Sequence, residues 1–335
     1  MTSSHQLARR QHPSPPRPRG PLSAWLLERL VAAPHEIGDP PPWDGDPLVD
    51  DDLHLALYLC YELHYRGFDG VDEGWEWDPA LLAVRAGFEA LFLDALIEEA
   101  WPARPVGDIE DELRTIIAGG SGPSLSGYMA SAGTLEQLRE FAVHRSAYQL
   151  KEADPHTWAL PRLDGRAKAA MVEIQADEYG SGVLEDMHAS LFADTMVALD
   201  LDATYGRYLD RLPGTTLATV NLVSLFGLHR RWRGALVGHL ALFEMTSVVP
   251  MGRYAEACER LGVPEARPFY NVHVLADVHH EVLAAEELAG GLVEDEPALA
   301  SDVAFGARAV MAVEGRFAQR LHDAWAAGRS SLLPR

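Results

Sequence analysis

Apolar residues recur at steps of three and four along most of this chain, the 3.6-residue period of helices that turn one face to a core. Leu81, Val84, Phe88, Leu91, Phe92 and Ala95 form one such row within 79–101, and 53–65 carries another. Thr134 followed by Gln137 fits a capping box that opens a helix over 134–153, ahead of Asp154-Pro155. Helical patterns also cover 165–180, 183–199, 216–248, 251–261, 268–289 and 297–326. Pro250, Gly262 and the Gly290-Gly291 pair stand where helix stops belong. Alternating strand patterns and fixed-period repeats do not appear, so the expected class is all-α. Pro-rich sequence up to residue 47 reads as a disordered tail, and GGSGPSLSG (119–127) reads as a linker. The expected organisation is a tail over 1–47, a helical extension over 48–118 and a helical domain over 119–330.

The informative positions are polar residues on rows that ought to be apolar. Leu138, Phe141, Arg145, Tyr148 and Glu152 share one face, and Met171 and Ile174 lead to Glu178 at the same spacing. His188 precedes Leu191 and Phe192, while Glu244 shares a row with Val237, Leu240 and Ala241. Tyr270, His273, Asp277, His280 and Ala284 put three potential ligands on one helix face, where separations of four and three residues bring side chains together. A single acid near a helix end is ordinarily a cap, and a single buried imidazole ordinarily makes core hydrogen bonds. The coincidence across several helices points instead to metal. Two divalent irons bring four positive charges into a low-dielectric core, which four acids (Glu152, Glu178, Glu244, Asp277) would offset while three histidines add nitrogen. A solvated or partner-facing stripe is the competing reading.

Composition narrows the classes. Two cysteines among 335 residues build no disulfide framework and fit a reducing cytoplasm. A net charge of −22 disfavours nucleic acid and anionic membrane surfaces as partners. No run of about 18 uncharged apolar residues occurs, so no span is expected. His144, His156, His229, His239 and His279 read as core or surface histidines, and Asp177 as a group that orients a ligand.

At these residues the sequence resembles the heme-oxygenase-like diiron oxidase and oxygenase family, the iron-containing redox enzymes. DEYGSGVLEDMH (177–188) matches that family's D-E-x-G…H signature, and HVLADVHH (273–280) matches its H-x3-D-x2-H signature. YQLKEADPH and LFEMTSVVP place Glu152 and Glu244 where the family's first and third core helices supply acids. The resemblance implies Glu152, Glu178, His188, Glu244, His273 and Asp277 as ligands. His280 is a ligand in some members and an outer residue in others. It further implies a seven-helix fold, two Fe(II) ions reacting with O2, and a small-molecule substrate oxidised by N-oxygenation, C–C cleavage, desaturation or decarboxylation. A homodimer is also expected. Iron storage, or a metal-free thiaminase-like relative on the same fold, are the alternatives.

Overall fold

A computed structural model describes residues 12–120 and 122–334; among them regular structure is helical and no strand occurs. In chain order the helices are α1 (Pro21–Leu30), α2 (Asp51–Glu62), α3 (Pro79–Ala100), α4 (Ile109–Ala118), α5 (Leu125–Ser131), α6 (Leu135–Gln149) and the single turn α7 (Asp154–Thr157). There follow α8 (Gly165–Glu178), α9 (His188–Ala198), α10 (Gly214–Leu228), α11 (Arg233–Arg260), α12 (Pro268–Val282), α13 (Gly291–Asp295) and α14 (Ala300–Ala326). The all-α, heme-oxygenase-like architecture expected from the sequence is the one found.

The tail expected over 1–47 is corrected from residue 21 onward, while residues 1–11 lie outside the described part. Pro21 starts α1 at a position where its missing N–H costs nothing. Leu22, Leu26 and Leu30 recur at four-residue steps and are buried, each contributing roughly 1.5–3 kcal/mol relative to exposure. The Asp52 carboxylate, at the start of α2, accepts from the backbone N–H groups of Leu22 and Ser23 at 2.7 and 2.8 Å. A Pro-rich composition hides these three leucines, and only their partner helix reveals the face. The segment over 48–118 likewise shares one hydrophobic core with α10 and α11, without a break at residue 119.

At the centre stands α10, where every residue except Thr219 and Leu228 is buried. Against it pack α2, α14 and α6. α11 crosses α14 at a close approach made possible by two glycines. A Cβ on Gly238 would fall on the Val303 carbonyl, and one on Gly306 would fall on that of Ala235.

Helix boundaries differ from expectation in four places. The expected run 216–248 is broken at 229–232, where His229 takes extended backbone and a 3-10 turn separates α10 from α11. Pro250 does not end a helix: α11 passes through it, with Leu236–Leu242 fixed in the core on one side and Tyr254–Cys258 on the other. α12 continues through a π-helical stretch, Leu283–Gly290, into α13, and both Gly290 and Gly291 keep helical backbone where α8 packs across them. α6 stops at Gln149, so Glu152 sits in the following turn, before Ala153 at φ +73°. Arg230–Arg260 is long and apolar enough to cross a membrane by length and composition, although Glu244 interrupts it and 56% of its most apolar window is buried inside the fold. The capping box at Thr134 and Gln137 is present as expected.

Candidate metal centre

Five separate elements supply the seven candidate ligands. Glu152 lies in the turn after α6, Glu178 is the last residue of α8, and His188 is the first of α9. Glu244 sits mid-way along α11; His273, Asp277 and His280 line the inner face of α12. The seven residues meet as two groups. Glu152, Glu178, His188 and His273 each offer one ligand atom, all within 4.8 Å of one another, and Glu244, Asp277 and His280 do the same. Six are buried and Glu152 is nearly so.

The loop between Glu178 and His188 is what closes the first group. Gly180, Ser181 and Gly182 all take positive φ (58°, 51° and 86°), which reverses the chain. His188 Nδ1 thereby returns to 2.9 Å from Glu178 Oε2. A Cβ on Gly180 would lie 2.5 Å from the Asp186 carbonyl carbon and the Met187 nitrogen. Left-handed strain and this collision act together, so Gly180→Ala is expected to destabilise the protein by about 1–3 kcal/mol and to lower bound metal. Urea unfolding with a metal count checks it, and wild-type values in both would remove the argument.

The donors look arranged around ions rather than bonded to one another. Glu152 Oε2, Glu178 Oε2, His188 Nδ1, Asp277 Oδ1 and His280 Nδ1 are buried and form no hydrogen bond. Several nevertheless lie at close range: His280 Nδ1 is 3.3 Å from Glu244 Oε2 and 3.5 Å from Asp277 Oδ1. Buried polar atoms are rarely left orphaned. Metal–ligand bonds of about 2.0–2.2 Å put donor atoms roughly 3–4.4 Å apart, and the donor atoms of each group lie within 4.8 Å of one another. The residues therefore fit a pair of cations.

Their electrostatics carry the same message. Burial, and then the charges of Glu178, Asp277 and Glu244, push the Glu152 carboxyl well above the carboxylate range. Burial pushes Glu244 up to about 7, with Asp277 and Glu178 adding to the rise. Glu178 goes the other way, to about 2, because His188, then His273 and His280, outweigh its burial. His280 is raised to about 11 by Asp277 and Glu244 against its burial. Without a cation, four buried acids repel one another, and imidazolium groups partly compensate.

Outer partners set the ring orientations. His273 Nδ1 faces the Phe269 carbonyl at 2.7 Å, leaving Nε2 to the first group. His280 Nε2 is 3.0 Å from Asp177 Oδ2, the orienting contact anticipated for Asp177. His280 itself belongs to the second group. Ser247, one turn after Glu244 and missed in the sequence, donates its hydroxyl to Asp277 Oδ2. The five histidines read as core or surface positions stay apart from both groups. His144 contacts Thr216 and Ser331, His156 pairs with His239, His229 faces Glu89, and His279 meets Glu173.

A cavity of about 420 Å³ opens onto both groups. Phe141, Tyr148, Leu240, Phe243 and Tyr254 make much of its wall. Arg145 holds both Glu314 oxygens at 2.8 and 2.7 Å. Glu314 lies on α14, far along the chain, and no local pattern marked it.

Residues 139–315, a stretch that includes all seven candidates, match the family model described as iron-containing redox enzyme. Over 220 residues the chain is 27% identical to nitrosourea synthase of Streptomyces achromogenes subsp. streptozoticus. That alignment covers 64% of this chain and 46% of the relative, so it reaches about half the relative's length.

Proposed function

This chain belongs to the iron-containing redox enzyme family, and from that premise we propose that it is a two-iron, O2-dependent oxidase or oxygenase acting on a small organic molecule. The observation that carries the reading is the pair of ligand groups, with orphaned buried donor atoms, facing one cavity. Glu152, Glu178, His188 and His273 would hold one iron, and Glu244, Asp277 and His280 the other. Four carboxylates and neutral imidazoles balance two divalent ions, which removes the repulsion that the acids feel alone. Such a pair, when bound, supplies electrons to O2. The chain's own residues do the rest. The Phe269 carbonyl and Asp177 fix the proton on the outer nitrogens of His273 and His280, and aromatic side chains form part of the cavity wall.

The cavity, of a size typical for organic ligands, supports an organic substrate over iron storage. A thiaminase-like reaction would need a reactive thiol, whereas burial pushes both Cys60 and Cys258 up to about 12 and neither lines the cavity. Among the expected reactions, oxidation at nitrogen has the support of the relative's name, since a nitrosourea carries oxygen on nitrogen. A homodimer is part of the same reading and is tested by sedimentation.

Anaerobic loading with Fe(II), an iron count and then O2 uptake test the reading. About two irons per chain and iron-dependent O2 consumption are expected. His144→Ala and His229→Ala should leave the count unchanged, because neither touches the two groups. Failure of wild-type protein to hold iron would sink the proposal.

A further inference from the structure

Two glutamines stand one turn before two of the candidate ligands. Gln149 precedes Glu152 by three residues, and Gln175 precedes Glu178 by three. Both are buried, both line the cavity, and each has one amide end without a hydrogen-bond partner: Oε1 of Gln149 and Nε2 of Gln175. The other end of the Gln175 amide is held by Thr157 at 2.9 Å, so that side chain has a fixed direction. A buried amide end left open costs its desolvation penalty, which a partner in the adjoining cavity would relieve.

Charge balance says what such a ligand is. Arg145, the cation of the cavity wall, is already engaged by Glu314 through two hydrogen bonds. With two divalent ions bound, the four ligand carboxylates are offset as well. Apart from the metals themselves, what remains around the cavity is aromatic, aliphatic or neutral and polar, so away from the metals a charged substrate group would meet no unengaged opposite charge.

We propose that Gln149 and Gln175 form a substrate-positioning subsite beside the metals that takes a neutral group with both a donor and an acceptor, of the carboxamide or urea class. This rests on the two-metal reading above, and it extends that reading from an organic substrate to an uncharged one. One amide supplies the acceptor and the other the donor, so a flat N–C=O group can satisfy both and present its neighbouring atoms to the ligand groups.

The test uses full-length protein loaded with Zn(II), which holds the charge without redox chemistry, and three probes of one shape: acetamide, acetate and acetamidinium. Zinc is counted first, and an empty site refutes the two-metal reading by itself. The probes are then titrated while the side-chain amide NMR signals of Gln149 and Gln175 are followed. Acetamide should shift both signals and bind about tenfold more tightly than either charged isostere. Gln149→Leu and Gln175→Leu should each weaken acetamide about tenfold at unchanged zinc content, the effect of losing one hydrogen bond. Gln149→Glu should move the preference to acetamidinium, a change that a merely structural role would not produce. Tighter binding of acetate or acetamidinium by the wild-type protein, as read at the two glutamine signals and not at the zinc, survival of acetamide binding in both leucine variants, or no response of these signals to any probe overturns the proposal.

Discussion

Glu178→Ala is expected to reduce bound iron from about two ions per chain to well under one, the largest change in metal content that any single substitution should cause. Glu178 acts in both groups. Its carboxylate is 2.9 Å from His188 Nδ1, and the charges of His273 and His280 help hold it down to about 2. Its charge in turn raises Glu152, in its own group, and Glu244, in the other. Removing it takes one donor from the first site and a quarter of the negative charge from the pair. The apo-protein should remain folded. Lost attraction to the imidazoles is set against relieved repulsion from Glu152 and Glu244. At neutral pH the attraction is present: with a folded pKa of about 2 against an ordinary 4.5, Glu178 stabilises the fold above about pH 4.5 and loses that contribution as pH falls toward 2. Added Zn(II) should raise the melting temperature of wild type, because metal binds the folded chain preferentially, and should barely move that of Glu178→Ala. Glu178→Gln, nearly the same shape without the charge, should behave like the alanine variant. Full iron content in both variants would show that the centre lies elsewhere.

Lys151→Met is expected to cost about 3–5 kcal/mol in urea unfolding, the largest stability loss among these substitutions. Lys151 and Glu62 are both fully buried, with Nζ 2.9 Å from Glu62 Oε2. Tyr205 donates to the same oxygen at 2.7 Å, and the ammonium stands 4.2 Å from the Tyr65 ring centre. Taking away the cation strands a carboxylate in the core. A double variant, Glu62→Gln with Lys151→Met, removes both charges while leaving Tyr205 an acceptor, and should recover more than half of the loss. The pair ties α2 to the turn that carries Glu152. The single variant should therefore also lower iron occupancy, whereas Glu62 itself is no ligand. A loss below about 1 kcal/mol in Lys151→Met would show that this buried pair does not hold the turn.

How much of this was legible in the sequence follows from what is local and what is not. A helix repeats every 3.6 residues, so an imidazole or carboxylate on an apolar row is visible without coordinates. His273, Asp277 and His280 were read on one face that way, and the resemblance carried by the Asp-Glu-x-Gly…His signature singled out Glu178 and His188. The helical class and the seven ligand candidates were open to reading because each is a property of a short window.

Partners from distant parts of the chain were decided by the tertiary structure alone. The division into a group of four and a group of three depends on how α6, α8, α9, α11 and α12 are placed, and no period encodes that. Glu314 on Arg145, Lys151 on Glu62 and Ser247 on Asp277 each join segments whose spacing in sequence says nothing of their contact. Residues 21–30 resembled a tail because a leucine every fourth residue in Pro-rich surroundings is a weak signal until α2 covers it. Pro250 resembled a stop because a proline breaks an isolated helix, whereas α11 is held on both sides of it by packing. Local periodicity determined which side chains could serve this protein's chemistry; the long-range packing free energy, which no window of sequence contains, decided which of them meet.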